Sequence, residues 1–320
     1  MTGETWYTRE ESETTEKFGS IPDQRPIDEL LNRGIIVVDK PFGPTSNQVS
    51  HWMKEELDRQ KTGHFGTLDP NATGVLPVGL DKGTRIQDSL SKAKKEYIFE
   101  AELSEIFDYT TVEKTLREFK GVNKQIPPEK SAVKREERER EVYEIELIEK
   151  DGKTVLGRVK CESGFYVRVL ISQLGEKLGA DAEMTELRRT QQGNINEKQA
   201  HSLQDIVDAY EYYKNGDEEK FREIIQPIET AVSHLKKVVI KDSAVNAIAN
   251  GADLGANGIA KLQEDIKEEE KIAVMTLKGE LVALAEADMD SEKMYSSDEK
   301  AATLLSVHMD PSKYPKRWKQ

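Results

Sequence analysis

The chain of 320 residues exceeds the usual size of a single core, and its 36% hydrophobic and 33% charged residues suit a folded protein with a heavily solvated surface. No apolar run approaches the roughly 20 residues that span a bilayer, and the one cysteine, Cys161, excludes an internal disulfide and a cysteine-rich zinc site. A net charge of −13 excludes a wholly basic body and leaves nucleic-acid binding to a local groove. The candidates for that groove are Lys92, Lys94 and Lys95, then Lys130, Lys134, Arg135, Arg138 and Arg140, then Arg188 and Arg189. The acidic excess elsewhere fits a salty cytoplasm. Residues 1–20 lack both a basic start and an apolar stretch, so they are no secretory signal, and a cytoplasmic protein is expected.

Residues 1–30 show little apolar periodicity and an acidic excess, the texture of a flexible arm, with Trp6, Tyr7 and Phe18 as docking points. The β-branched run Ile35-Ile36-Val37-Val38 has the length and content of a buried strand. After a turn, Thr45 with Gln48 three residues on forms a capping box for a helix whose apolar face is Val49, Trp52, Met53 and Leu57. Next comes His64-Phe65-Gly66-Thr67-Leu68-Asp69-Pro70, which holds an acid at a stiff bend. Gly63, Gly66 and Gly74 can adopt backbone conformations closed to other residues, and Pro70 biases Asp69 toward extended backbone. By default a lone Asp-Pro is only a turn.

Residues 84–90 have a helical pattern, and Tyr97, Phe99, Ala101 and Leu103 alternate with Ile98, Glu100 and Glu102 as the buried face of a strand. Val112, Leu116 and Phe119 mark a short amphipathic helix, after which Gln125-Ile126-Pro127-Pro128 forces extended backbone. The charged mixture at 135–141 reads as a solvated, self-paired run. Strands over 143–147 and 154–161, joined at Asp151-Gly152, must be antiparallel, and Cys161 at the end of the second is a small buried hydrophobe. A helix opening near Gly164 carries Val169, Ile171, Leu174 and Leu178 and stops at Gly179. Residues 203–213 and 218–225 are further helices. From Lys237 the texture becomes that of a small mostly-β domain, with a helix over 243–250 stopped by Gly251 and a Lys278-Gly279 turn between strands.

Residues 63–70 resemble the Gly-His-x-Gly-Thr-Leu-Asp-Pro signature of one pseudouridine synthase family, the bacterial TruB enzymes and their archaeal and eukaryotic dyskerin-like relatives. Further motifs similar to that family's follow its order. They are Val38-Asp39-Lys40-Pro41 with Thr45-Ser46, then Lys95-Glu96-Tyr97, the run Lys130 to Arg135, Gly164-Phe165-Tyr166-Val167-Arg168 with Phe165 in place of the usual threonine, and Leu187-Arg188-Arg189-Thr190. Stretches 242–245 and 275–280 resemble the PUA domain, an RNA-binding module. The resemblance covers nearly all of residues 31–285. It implies an α+β fold: an N-terminal arm (1–30), a catalytic domain with a mixed, mainly antiparallel sheet (31–235), a small β-barrel PUA domain (236–311) beside which the arm packs, and a tail (312–320). The short span from Tyr97 to Pro127 and the C-terminal Tyr314-Pro315-x-x-Trp318 are closer to the archaeal and eukaryotic branch.

The activity so implied is isomerisation of uridine to pseudouridine in RNA. The resemblance points to the catalytic subunit of the box H/ACA guide-RNA particle, working on rRNA with small partner proteins, and to the TΨC loop of tRNA. A stand-alone tRNA enzyme of bacterial type and a non-catalytic RNA scaffold are the alternatives. Breaking the glycosidic bond, turning the uracil and joining its C5 to the sugar requires no metal or redox cofactor, and none is expected. The reaction does require an ionised carboxylate in a dry pocket, as nucleophile or as acceptor of positive charge at the sugar, and Asp69 is that candidate. Arg168 would keep it charged and orient it through a planar fork. Tyr97 would offer the base a flat face, Leu187 would exclude water, and His64 would fill the gap left by a flipped base. Lys40, by default a surface lysine, would neutralise phosphate or support the acid's surroundings.

Overall fold

The structure is a computed structural model that describes residues 5–127 and 134–316. Expectations placed on Pro128, Lys130 and Trp318 lie outside the described residues. The chain divides into two compact units, one of Ile35–Ile225, the other joining the residues up to Gly34 with those from Gln226 onward. Among the described residues no helix is long and apolar enough to cross a membrane.

The first unit is built on a mixed sheet in the order Ile35–Lys40, Ala72–Leu80, Ala182–Gln192, Lys95–Leu103, Thr154–Cys161, Arg138–Asp151, Gly121–Gln125. These neighbours run antiparallel except for Ala72–Leu80 against Ala182–Gln192, which are parallel. Ile35 to Val38 are fully buried, as a run of consecutive apolar residues requires of a strand covered on both faces. In Lys95–Leu103 the period-two pattern buries Tyr97, Phe99, Ala101 and Leu103, each larger side chain contributing about 1.5–3 kcal/mol. Cys161 is buried beside them, and burial pushes its thiol up to about 12.

Several local readings shift. Helix Ser46–Glu56 begins with the expected Thr45–Gln48 capping box, but Trp52 is 40% exposed. The buried stripe runs through Ser46, Val49, Ser50 and Met53, which leaves Trp52 on its flank. The charged run near 138 is not loose. It forms the first half of strand Arg138–Asp151, where pairing with Gly121–Gln125 uses the backbone, leaving Glu139 and Glu141 exposed and Arg138 and Arg140 half-buried. Residues 84–90 are split between the 3-10 turn Asp81–Ile86 and the short helix Gln87–Ser91. Helix Val167–Leu178 buries Val167, Leu170, Ile171 and Leu174, packs on strand Ala182–Gln192, and ends at Gly179 with φ +74°.

The second unit holds a sheet ordered Trp6–Thr8, Ile259–Gln263, Lys236–Ile240, Lys271–Met275, Leu281–Ala287, Lys300–Val307, Leu254–Gly255. The arm is an integral strand here. Trp6–Thr8 pairs antiparallel with Ile259–Gln263, placing Tyr7 opposite Leu262. A sheet edge supplies hydrogen-bond partners that no periodicity within the arm announces. The core includes Val238, Ile240, Val245, Leu262, Ile272 and Val274, with Tyr7 and Phe18 packed against it. Beneath the arm, Arg25 forks onto Glu229 at 2.8 and 2.9 Å, and the buried Tyr314 hydroxyl donates to Glu280 at 2.9 Å.

Candidate active site

Asp69 stands on a loop between strands Thr62–His64 and Ala72–Leu80. From 65 to 72 the loop's carbonyls are taken largely by groups from elsewhere in the unit. Gln192 Nε2 donates to Phe65 O, and Arg189 Nη2 donates to Gly66 O at 2.9 Å. Ser46 Oγ donates to Leu68 O at 2.9 Å and accepts from Leu68 N at 2.8 Å. Pro70 O accepts from Gly43 N at 2.9 Å, and within the loop Ala72 N donates to Asp69 O at 3.0 Å. Lys40 Nζ donates to Pro41 O, Pro70 O and Ala72 O at 2.9, 3.3 and 2.8 Å. A backbone with so few free acceptors has little room to move its acid.

Of the three glycines singled out around this loop, Gly74 carries the firmest requirement. Its φ is +100°, and a Cβ there would lie 2.2 Å from Arg189 O across the parallel pairing. Gly63 has no positive φ, and a Cβ there would find ordinary contact.

Arg168, the second residue of helix Val167–Leu178, reaches Asp69 from 99 residues away, with Nη2 2.9 Å from Oδ2. Two features differ from expectation. The contact is a single hydrogen bond and not a fork, and the pair is open, the Asp69 side chain 58% and the Arg168 side chain 44% exposed. An ion pair so wet contributes roughly 0–1 kcal/mol to stability, so the fold has little need of it. Tyr166, two residues ahead of Arg168, is held as Leu68 is: Gln125 Oε1 accepts from Tyr166 N at 2.9 Å, and Gln125 Nε2 donates to Tyr166 O at 3.0 Å.

Strand register brings up the remaining residues. Leu187 sits half-buried between Ala72 on one side and Phe99 on the other, and Tyr97 is directly opposite Arg189. Burial raises the Tyr97 phenol, and the neighbouring Arg189 guanidinium opposes that rise. Arg189, offered by its sequence as part of a basic groove, is fully buried, with Nε donating to Val75 O at 2.7 Å. Lys95 is buried too, its Nζ on Ser91 O, Ala93 O and Ser163 Oγ, and burial together with Arg189 lowers its pKa to about 7. Arg188 is committed to Asp39 at 2.9 and 3.1 Å and to Glu197. Of the groove candidates, Lys92, Lys94, Lys134 and Arg135 are exposed.

Lys40 is fully buried, its ammonium on carbonyls where a surface position would have offered it phosphate. Burial lowers its pKa, with the Asp69 charge acting in the opposite direction. His64 Nε2 lies 3.0 Å from Asn47 Oδ1, and burial and the Arg189 charge favour its neutral form. It borders a cleft of about 370 Å3 that is also lined by Asn47, His51, Lys54 and Gln87.

Sequence reasoning passed over Ser46, Gln125 and Gln192. Ser46 lay inside a quoted motif, but a serine at a helix start reads as helix chemistry. Gln125 and Gln192 carried no local signal, since a glutamine's partner is set by tertiary contact.

Protein-family models match most of residues 3–306: "DKCLD (NUC011) domain" over residues 3–50, "TruB family pseudouridylate synthase (N terminal domain)" over 54–167, "tRNA pseudouridylate synthase B C-terminal domain" over 168–233, and "PUA domain" over 236–306. The "Probable tRNA pseudouridine synthase B" of Methanocaldococcus jannaschii is 47% identical, covering 98% of this chain and 94% of its own length. The protein of the same name from Archaeoglobus fulgidus is 44% identical over 99% and 98%. Among solved structures, the chain is similar to one described as "Crystal Structure of a Cbf5-Nop10-Gar1 Complex", with TM-score 0.94 and 45% identity over 98% of this chain and 97% of that one. It is also similar to "Structure of H/ACA RNP bound to a substrate RNA containing 2'-deoxyuridine", with TM-score 0.93 and 43% identity over 99% and 98%.

Proposed function

The chain belongs to the TruB family of pseudouridylate synthases, and from that membership we propose that Asp69, oriented by Arg168, carries its isomerisation of uridine in RNA. The observation behind this reading is the 2.9 Å contact between two exposed, oppositely charged side chains, each preceded within two residues by backbone that a side chain holds. The N1–C1′ bond breaks, the uracil turns, C5 bonds to C1′, and the proton on C5 leaves while N1 gains one. Asp69 serves as nucleophile or as acceptor of the charge that develops at the sugar. The open pair becomes a dry site when RNA with its uridine flipped out closes over it, which strengthens each charge interaction there. Tyr97 meets the base, Leu187 lines the floor, and His64 with Asn47 occupies the space the base leaves. Lys40 acts on the loop's carbonyls and so on the acid, without touching phosphate.

The likeness to a chain seen in an H/ACA particle with substrate RNA supports guide-directed modification of rRNA, with partners of the Nop10 and Gar1 kind. The unit from Gln226 onward anchors RNA at a distance from the reacting uridine, and the complex works in the cytoplasm. A second reading, a stand-alone enzyme acting on the TΨC loop of tRNA, is favoured by the names of the curated relatives. Release of tritium from 5-tritiated uridine separates the two readings. Guided rRNA fragments turned over only with guide RNA and partner proteins support the first, and tRNA turned over by the chain alone supports the second. No release from either substrate removes both.

A further inference from the structure

Both members of the Asp69–Arg168 pair follow a residue that one buried side chain grips at its N–H and its C=O together, so that the peptide on each side of that residue is held. Ser46 does this to Leu68, the residue before Asp69, at 2.8 and 2.9 Å. Gln125 does it to Tyr166, two residues before Arg168, at 2.9 and 3.0 Å. Neither grip is required by the element that supplies it. Helix Ser46–Glu56 is already capped by Thr45, whose Oγ1 accepts from Gln48 N at 3.1 Å while Gln48 Oε1 accepts from Thr45 N at 2.8 Å, so the Ser46 hydroxyl is free for the loop. Gln125 is the last residue of its strand, and Tyr166 heads a helix that has no side-chain cap of its own.

We propose that Ser46 and Gln125 are positioning residues for the isomerisation, one fixing the carboxylate's backbone and the other the guanidinium's. A residue whose own N–H and C=O are both bonded to one side chain cannot turn about its φ or ψ without straining or breaking one of the two hydrogen bonds. The exposed ion pair is too weak to set its own geometry, so the two clamps set it. Catalysis depends on that geometry steeply, because a misplacement of about 1 Å costs about 100-fold in rate. This inference rests on Asp69 being the catalytic acid.

The test is single-turnover tritium release by the full chain on a tRNA transcript or a guide-assembled rRNA fragment, whichever the wild type turns over. The variants are Ser46→Ala, Ser46→Thr and Gln125→Ala, each alone and with Arg168→Lys, beside Asp69→Asn. Ser46→Ala and Gln125→Ala each slow the chemical step by about 10- to 100-fold, with RNA affinity kept within about twofold. Ser46→Thr, which keeps the hydroxyl, recovers most of the rate. In the Arg168→Lys background the clamp losses shrink to about threefold or less, because residues acting on one geometry are not additive. Wild-type rates in both alanine variants overturn the proposal, and so do full multiplicative losses on top of Arg168→Lys. An Ser46→Ala protein that does not fold leaves the decision to Gln125→Ala and to Ser46→Thr, whose failure to retain rate counts against the clamp. If Asp69→Asn is inactive while the clamp variants are normal, this inference alone fails. Normal turnover by Asp69→Asn removes the catalytic reading beneath it.

Discussion

At the scale of single residues, charge and burial separate the groups proposed to act from those that hold. Asp69 and Arg168 are exposed and add little to stability, whereas Lys40, Lys95 and Arg189 are buried and bonded to backbone or side-chain oxygens. Asp69→Asn should therefore lower turnover by ~10⁴-fold or more, with RNA binding and melting temperature nearly unchanged. Arg168→Lys keeps a positive charge but loses the planar guanidinium, and a loss of about tenfold or more in single-turnover rate is expected. Near-normal turnover in the lysine variant would count against an orienting role. Lys95 gives a pH dependence. Its pKa falls from 10.5 unfolded to about 7 folded, so between these values the unfolded chain binds more protons, and stability rises with pH. Cys161 acts in the opposite direction above 9.0, because its folded pKa of about 12 keeps a proton that the unfolded thiol gives up. Urea melts from pH 7 to 9 should show rising stability in the wild type, and Lys95→Met should flatten that slope.

At the scale of elements, the parallel pairing of Ala72–Leu80 with Ala182–Gln192 is the joint that matters. It places Leu187 beside Ala72, three residues past Asp69, and sets Arg189 against the loop and against Tyr97. The joint closes at Gly74, where a Cβ would strike Arg189 O. Gly74→Ala is expected to cost about 1–3 kcal/mol from backbone strain alone, and to displace Arg189 from Gly66 O, so that activity falls further than stability predicts. Chemical denaturation and single-turnover assays on the same preparation would reveal a mismatch between the two losses. Equal and small effects would mean that the strands separate slightly at no consequence to the loop.

At the scale of the whole molecule, the arm belongs to the unit formed by the C-terminal part of the chain. Its strand Trp6–Thr8 completes a sheet edge at Ile259–Gln263, and Phe18 rests 6.4 Å from Tyr314, ring centre to ring centre. A chain cut after Leu235 but keeping the arm should expose Trp6, Tyr7 and Phe18 and self-associate in size-exclusion chromatography. A chain of residues 35–225 should stay monodisperse and folded. Both should bind RNA more weakly than the full chain, with a shallower dependence on salt because phosphate contacts are lost. Equal affinity and equal salt slope for the 35–225 chain would show that the C-terminal unit does not anchor RNA.

What was legible in the sequence is what the chain determines locally. Alternation in Lys95–Leu103 fixed which side chains face inward, the Thr45–Gln48 pair fixed a helix start, and the run around Asp69 marked the candidate acid. These follow from backbone periodicity and from the reach of a side chain over a few residues. The tertiary structure alone decided that Lys40 and Arg189 lie inside while Asp69 and Arg168 lie open, that Ser46 and Gln125 grip distant peptides, and that a polar arm becomes a strand. The reason is that a long polar side chain or an unpaired sheet edge carries the same local signal whether its partner is water or a backbone group a hundred residues away, and only the assembled fold supplies one in place of the other.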